Sequence, residues 1–140
     1  MPGFELENFI PYLLNRAAEK SSREFQAVYK QEYGMLRTEW RIVFHLGRYG
    51  EMTAREICSR GALHKTKVSR AVSALEEKRF LARKRSETDR REEYLSLTRQ
   101  GKSVFRKLEN SAREYQERFA GNFTQDEFRI LTNALKKLTE

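Results

Sequence analysis

Residues 53–101, TAREICSRGALHKTKVSRAVSALEEKRFLARKRSETDRREEYLSLTRQG, decide the fold. Thr53-Ala-Arg-Glu56 reads as a capping box that opens a short helix carrying Ile57 and Cys58, and Gly61 offers the left-handed turn that stops it. From about 64 to 78 a second helix repeats Val68, Ala71, Val72 and Leu75 on one side and Lys65, Thr66, Ser69, Arg70 and Ser73 on the other. One face packs, and the other is free to read. Two helices joined by a short turn containing Gly form the helix-turn-helix pattern, whose second helix enters the major groove of DNA. Residues 80–86 and 92–97 then read as two strands around the loop SETDRR, a hairpin in the place of a wing.

Charge is concentrated in the same stretch. Residues 1–54 carry 7 basic and 7 acidic side chains, residues 55–91 carry 12 and 5, and residues 92–140 carry 9 and 8. Nearly all of the net charge of +8 therefore sits in about a quarter of the chain, the electrostatic footprint of a nucleic-acid face. A membrane-surface segment would instead be one basic amphipathic helix with an apolar face, whereas these cations spread over helix and hairpin alike.

Working outward, residues 5–33 show helical spacing at Leu6, Phe9, Leu13, Ala17, Phe25 and Val28, which predicts one long helix. Thr38 reads as the N-cap of a helix with Trp40, Val43, Phe44 and Leu46 inward, ended by Gly47 and Gly50. On the other side, Thr98 caps a helix through Val104, Phe105, Leu108, Ala112, Tyr115 and Phe119, interrupted at Gly121-Asn122. Thr124-Gln-Asp-Glu127 is a further capping box, opening a helix with Phe128, Leu131, Leu135 and Leu138. The expected fold is mainly α with a small β-hairpin wing. Residues 1–36 form an N-terminal dimerisation helix, 37–98 a winged helix-turn-helix lobe and 99–140 C-terminal dimerisation helices, all within one structural domain. The flanking helices have spare apolar faces, which call for a second copy of the chain as a homodimer.

Composition excludes several alternatives. No apolar run approaches the roughly 20 residues that span a bilayer, and the N-terminus lacks the basic-then-apolar order of a secretory signal, so a cytoplasmic protein without a membrane partner is expected. The single Cys58 allows no intrachain disulfide. His45 and His64 stand without the Cys or carboxylate clusters of a metal site. No Ser, His and carboxylate grouping and no Gly-rich phosphate loop is visible, so neither catalysis nor a cofactor is expected.

Along nearly its whole length the chain resembles the MarR family of winged helix-turn-helix regulators. The resemblance rests on the order of helices, on HKTKVSRAVSALEEKRFLARK with its Leu-Glu-Glu exit, and on TDRREEYLSLTRQG, which matches Asp-x-Arg, a short strand, then Leu-Thr-x-x-Gly. It departs at Arg79, where the family usually has Gly. A left-handed turn there costs a non-Gly residue roughly 1 kcal/mol and alters the setting of the wing.

The resemblance implies a sequence-specific regulator of transcription bound to double-stranded DNA, a repressor rather than an activator. It makes Asp89 and Arg91 the wing-tip pair, with Arg91 in the minor groove, Asp89 orienting a neighbouring guanidinium and Arg90 sharing the role. On the reading helix, Lys65, Thr66, Ser69 and Arg70 have the chemistry to bond base edges, and Lys67 and Ser73 that to touch phosphates. Arg55, Arg60, Arg83, Lys84 and Arg85 are further backbone candidates, which position without specifying. The family commonly takes small aromatic acids or phenolic compounds between its dimerisation helices and the winged lobe, and Tyr12, Arg16, Trp40 and Arg41 suit such an effector. Family members that sense peroxide place a cysteine near the start of the first helix, where this chain has none, so Cys58 is expected to be a buried, inert thiol. The alternative function is a nonspecific architectural DNA-binding protein, using the same cations for phosphates alone.

Overall fold

The computed structural model describes residues 3–89 and 91–140, so Arg90 lies outside the described residues. A 3-10 turn at Leu6–Asn8 precedes α1 (Ile10–Tyr33), α2 (Arg37–Tyr49), β1 (Met52–Thr53), α3 (Ala54–Gly61), α4 (Lys65–Glu77), β2 (Leu81–Arg85), β3 (Glu93–Leu97), α5 (Arg99–Ala120) and α6 (Gln125–Thr139). This is the mainly helical winged helix-turn-helix expected. The chain divides into two compact units, Met1–Leu108 and Glu109–Glu140.

In the first unit, Met35, Ile42, Val43, Ile57, Val68, Leu75, Leu95 and Leu108 are buried to the last few square ångströms, a single core drawn from the loop before α2, from α2 to α5 and from β3. An aromatic run joins α1, α2 and α5: Trp40 lies 5.3 Å from Phe25, 5.7 Å from Tyr29 and 5.1 Å from Phe44, and Phe44 lies 5.5 Å from Phe105. All but the tilted Tyr29–Trp40 pair meet edge-on, an arrangement that adds to the area the rings bury. The sheet is antiparallel in the order β1-β3-β2. The hairpin therefore gains a third strand, since Met52 pairs with Leu95 and Thr53 with Tyr94. Two residues are too few for an alternation to show in sequence.

The second unit consists of the end of α5 and α6. Tyr115, Phe119 and Phe123 follow one another at 6.3 and 5.5 Å, and the reciprocal capping box of Thr124 and Glu127 starts α6 as expected. No residue of α6 is buried.

Several local expectations are corrected. The N-terminal helix is not continuous from residue 5, because Phe9 is extended and Pro11 sits in the first turn of α1. Its ring crowds the preceding turn and it brings no N–H, so it fits a helix start and not an interior. The N-cap of α2 is Leu36, not Thr38: the Glu39 carboxylate reaches back to accept the Leu36 N–H at 3.0 Å. Gly47 lies inside α2, where a Cβ would stand 2.4 Å from the Phe105 ring, and Gly50 alone closes the helix at φ 83°. The left-handed residue after α3 is Ala62 (φ 49°), while Gly61 is the buried last helical residue, packed on Leu63 and His45. Cys58 is half-buried, not fully buried like its neighbour Ile57.

Candidate nucleic-acid interface

The reading helix is held from behind. Val68, Ala71, Val72 and Leu75 are buried along one side of α4, and the helix start is capped by His64, whose Nδ1 accepts the Thr66 N–H at 3.2 Å. Lys65, Thr66, Lys67, Ser69, Arg70 and Ser73 are exposed on the remaining surface. α3 packs behind, capped by Thr53, whose hydroxyl accepts the Glu56 N–H at 3.2 Å. Among the described residues no hydrogen bond or ion pair engages the side-chain nitrogens of Lys65, Lys67, Arg70, Arg55, Lys84, Arg85 or Arg91. They are unneutralised charge, available to a polyanion.

The wing loop is organised by two short polar side chains. Ser86 Oγ accepts the N–H groups of Thr88 and Asp89, each at 3.2 Å, and lies 3.0 Å from the Thr88 hydroxyl. Asp89 Oδ1 accepts the backbone N–H of Arg91 at 3.0 Å, and the Ser86 N–H donates to the Glu92 carbonyl across the loop. Asp89 thus acts on Arg91 through its main chain and leaves the Arg91 guanidinium without a partner among the described residues. Ser/Asp turns of this kind substitute a side chain for a backbone hydrogen bond.

Arg83 and Arg60 are occupied. The Arg83 guanidinium meets Glu76, Glu93 and Ser73. Arg60 stacks over the exposed Tyr49 ring at 4.3 Å, with Arg48 at 5.7 Å from the same ring.

The root of the wing contains residues that inspection for charge and periodicity passes over. Arg79 is left-handed at φ 66°, as the departure from Gly implied. Thr98 caps α5, its Oγ1 accepting the Gly101 N–H at 3.0 Å and donating to the Arg79 carbonyl at 2.7 Å, while its own N–H bonds the Phe80 carbonyl. A Cβ on Gly101 would stand 2.0 Å from that same Phe80 carbonyl. At the end of α4, the Lys78 ammonium lies 2.8 Å from the buried Glu39 carboxylate, tying the reading helix to the start of α2.

The four effector candidates fall into two groups. Arg16 lies over the Tyr12 ring at 5.9 Å near the start of α1. Trp40 is half-buried within the aromatic run, and Arg41 donates to the Gly61 carbonyl at 2.7 Å, joining α2 to the end of α3. Burial, with the like charge of Arg37 second, lowers the Arg41 pKa from the usual guanidinium value. Arg16 precedes Phe25, the nearer along α1 of the two residues in contact with Trp40, by about 14 Å of helix rise. Among the described residues, no group of three His, Cys, Asp or Glu side chains could hold a metal ion, and no helix is long and apolar enough to cross a membrane.

Comparison with known proteins places this geometry. A family model described as "MarR family" matches residues 33–92. The homoprotocatechuate degradative operon repressor of Escherichia coli is 22% identical over 89% of this chain and 83% of its own. A MarR/EmrR family transcriptional regulator from Acinetobacter sp. ADP1 superposes with a TM-score of 0.86 at 27% identity, covering 97% of this chain and 96% of that one. BpsR of Bordetella bronchiseptica, whose DNA binding is regulated by 6-hydroxynicotinic acid, superposes with a TM-score of 0.88 at 18% identity over 99% of each chain.

Proposed function

Because a MarR family model matches residues 33–92 and a MarR/EmrR family regulator superposes over 97% of this chain, we propose that this chain is a winged helix-turn-helix regulator of the MarR family, a cytoplasmic homodimeric repressor released from its operator by a small aromatic or phenolic acid. The observation that carries the reading is the set of exposed, unpartnered cations on α4 and the wing tip, in a chain whose positive charge is concentrated there. Lys65, Thr66, Ser69 and Arg70 read base edges in the major groove, Lys67 touches phosphate, and Arg91 enters the adjacent minor groove. Arg55, Lys84 and Arg85 add phosphate contacts that set register.

Residues 37–98 form the lobe that meets DNA, and residues 1–36 and 99–140 pair two copies. Support for pairing comes from Phe9, Ile10 and Leu13 in one unit and Ile130, Leu135 and Leu138 in the other, all exposed at 40% or more. Apolar side chains in such numbers on one short chain mark an interaction surface. Two reading helices would then enter successive major grooves, roughly 34–36 Å apart, on an inverted repeat.

The effector class is supported by the E. coli relative, named for homoprotocatechuate degradation, and by the regulation of BpsR by 6-hydroxynicotinic acid. Tyr12, Arg16, Trp40 and Arg41 are the residues proposed to take it, with aromatic walls and a guanidinium for a carboxylate. The effector lowers affinity by as much as it prefers the dimer whose helix spacing misfits.

Selection of duplexes from a random library by the full-length protein tests the reading. An inverted repeat should emerge, and homoprotocatechuate or 6-hydroxynicotinic acid should shift its titration to higher protein concentration. Recovery of unrelated duplexes with equal affinity would point instead to an architectural protein.

A further inference from the structure

Arg83 stands apart from its neighbours on β2. Its register partner is Leu95, and Leu81 pairs with Leu97, so Arg83 shares the sheet face of Leu81 and Leu95, both buried. From there its Nε lies 3.2 Å from a Glu76 oxygen, one terminal nitrogen 3.2 Å from Glu93, and the other donates to Ser73 Oγ at 3.1 Å. Ser73 and Glu76 belong to α4, one and two turns beyond Ser69 on the reading surface. Glu93 opens β3, directly after the wing loop.

We infer that Arg83 is a positioning residue which sets the wing against the reading helix, and that neither it nor Ser73 contacts DNA. All three guanidinium nitrogens are directed to partners inside the protein, which commits three of the planar fork's five N–H donors to α4 and β3. Each of these pairs is half-exposed and weak alone. Three partners on one rigid group nonetheless constrain both the distance and the angle between α4 and the hairpin. Lys84 and Arg85 have no such partners, which separates the strut from the cations left for the polyanion. The inference rests on the DNA-binding reading above.

The test uses full-length protein and a duplex selected by the wild type from a random library. Arg83→Ala and the double variant Glu76→Gln with Glu93→Gln should each weaken binding, roughly fivefold. Combining them should add nothing, and the slope of log affinity against log salt should stay that of the wild type. A phosphate contact predicts the opposite pattern, which would overturn the inference: Arg83→Ala flattens the slope by about 0.9, and loss of two carboxylates tightens binding. Hydrogen exchange without DNA gives a second readout. Arg83→Ala should speed exchange of the β2 and β3 amides and leave those of α5 unchanged, and an unaltered hairpin would overturn the strut itself. If the hairpin loosens but the wild type binds no duplex at low salt, the DNA-binding reading fails, and the role of wing placement in binding fails with it.

Discussion

The hydroxyl of Thr98 donates to the carbonyl of Arg79 at 2.7 Å and accepts the N–H of Gly101 at 3.0 Å, so a single side chain fastens the left-handed exit of the reading helix to the start of α5. The Leu-Thr-x-x-Gly pattern has a physical basis here, because the Phe80 carbonyl occupies the space where a Gly101 Cβ would be. Thr98→Val keeps the shape and removes both bonds. It should lower unfolding free energy by about 1–3 kcal/mol in urea titration, while Thr98→Ser loses well under half of that.

Arg79 carries the strain that Thr98 holds in place. Left-handed backbone costs a residue with a Cβ about 1–2 kcal/mol, which exceeds the roughly 0.4–1 kcal/mol of extra unfolded-chain freedom that Gly brings. Arg79→Gly should therefore raise the thermal midpoint by about 2 °C by differential scanning calorimetry. A lower midpoint would show that the Arg79 side chain stabilises the fold in a way the backbone strain does not reveal.

Tyr29 is buried against Phe25 and Trp40, and its phenol pKa is raised by burial first, with the Trp40 hydrogen bond and Arg37 opposing. Burial first, then Glu32, raises Tyr33 as well. A raised folded pKa favours the protonated form, so this stability is fully present below pH 10, about the ordinary tyrosine value, and is lost as pH rises through the folded values. Stability measured by urea titration should fall above about pH 10, and Tyr29→Phe should flatten the fall. An unchanged alkaline limb would remove Tyr29 as its cause.

Ile130 is 60% exposed on α6, so a charge there leaves each unit's own packing alone. Ile130→Asp should convert the proposed dimer to monomer in analytical ultracentrifugation, with helicity by circular dichroism retained and DNA affinity lost. A variant that stays dimeric would take this face of α6 out of the interface.

What was legible in sequence was whatever has a period or a fixed local chemistry. The stripe Val68, Ala71, Val72, Leu75 gave the reading helix, and Thr124 with Glu127 gave the last capping box. Left-handed Arg79 followed from one departure in a known pattern. Contacts that depend on tertiary neighbours were not legible. Gly47 looked like a helix end because nothing local shows that Phe105 lies on it, and Gly61 looked like the left-handed residue because Ala62 is the rarer choice. Thr38 looked like a cap because Leu36 has no polar side chain, yet Leu36 is the cap, with the Glu39 carboxylate reaching back to accept its N–H. In the candidate site, the cations were visible as charge, but Arg83 could be told from Lys84 and Arg85 only once Ser73, Glu76 and Glu93 were placed around it. The turn in which Asp89 accepts the Arg91 N–H was likewise not legible in the charge pattern.

Fluorescence-anisotropy titration of the full-length protein against its library-selected duplex and a scrambled one, repeated across salt concentrations, tests the central claim most directly. The account predicts a preference of at least 10³-fold for the selected duplex near physiological salt, with an affinity that falls steeply as salt rises because several phosphates are contacted. Equal affinity for both duplexes, or no binding to either at low salt, would contradict it.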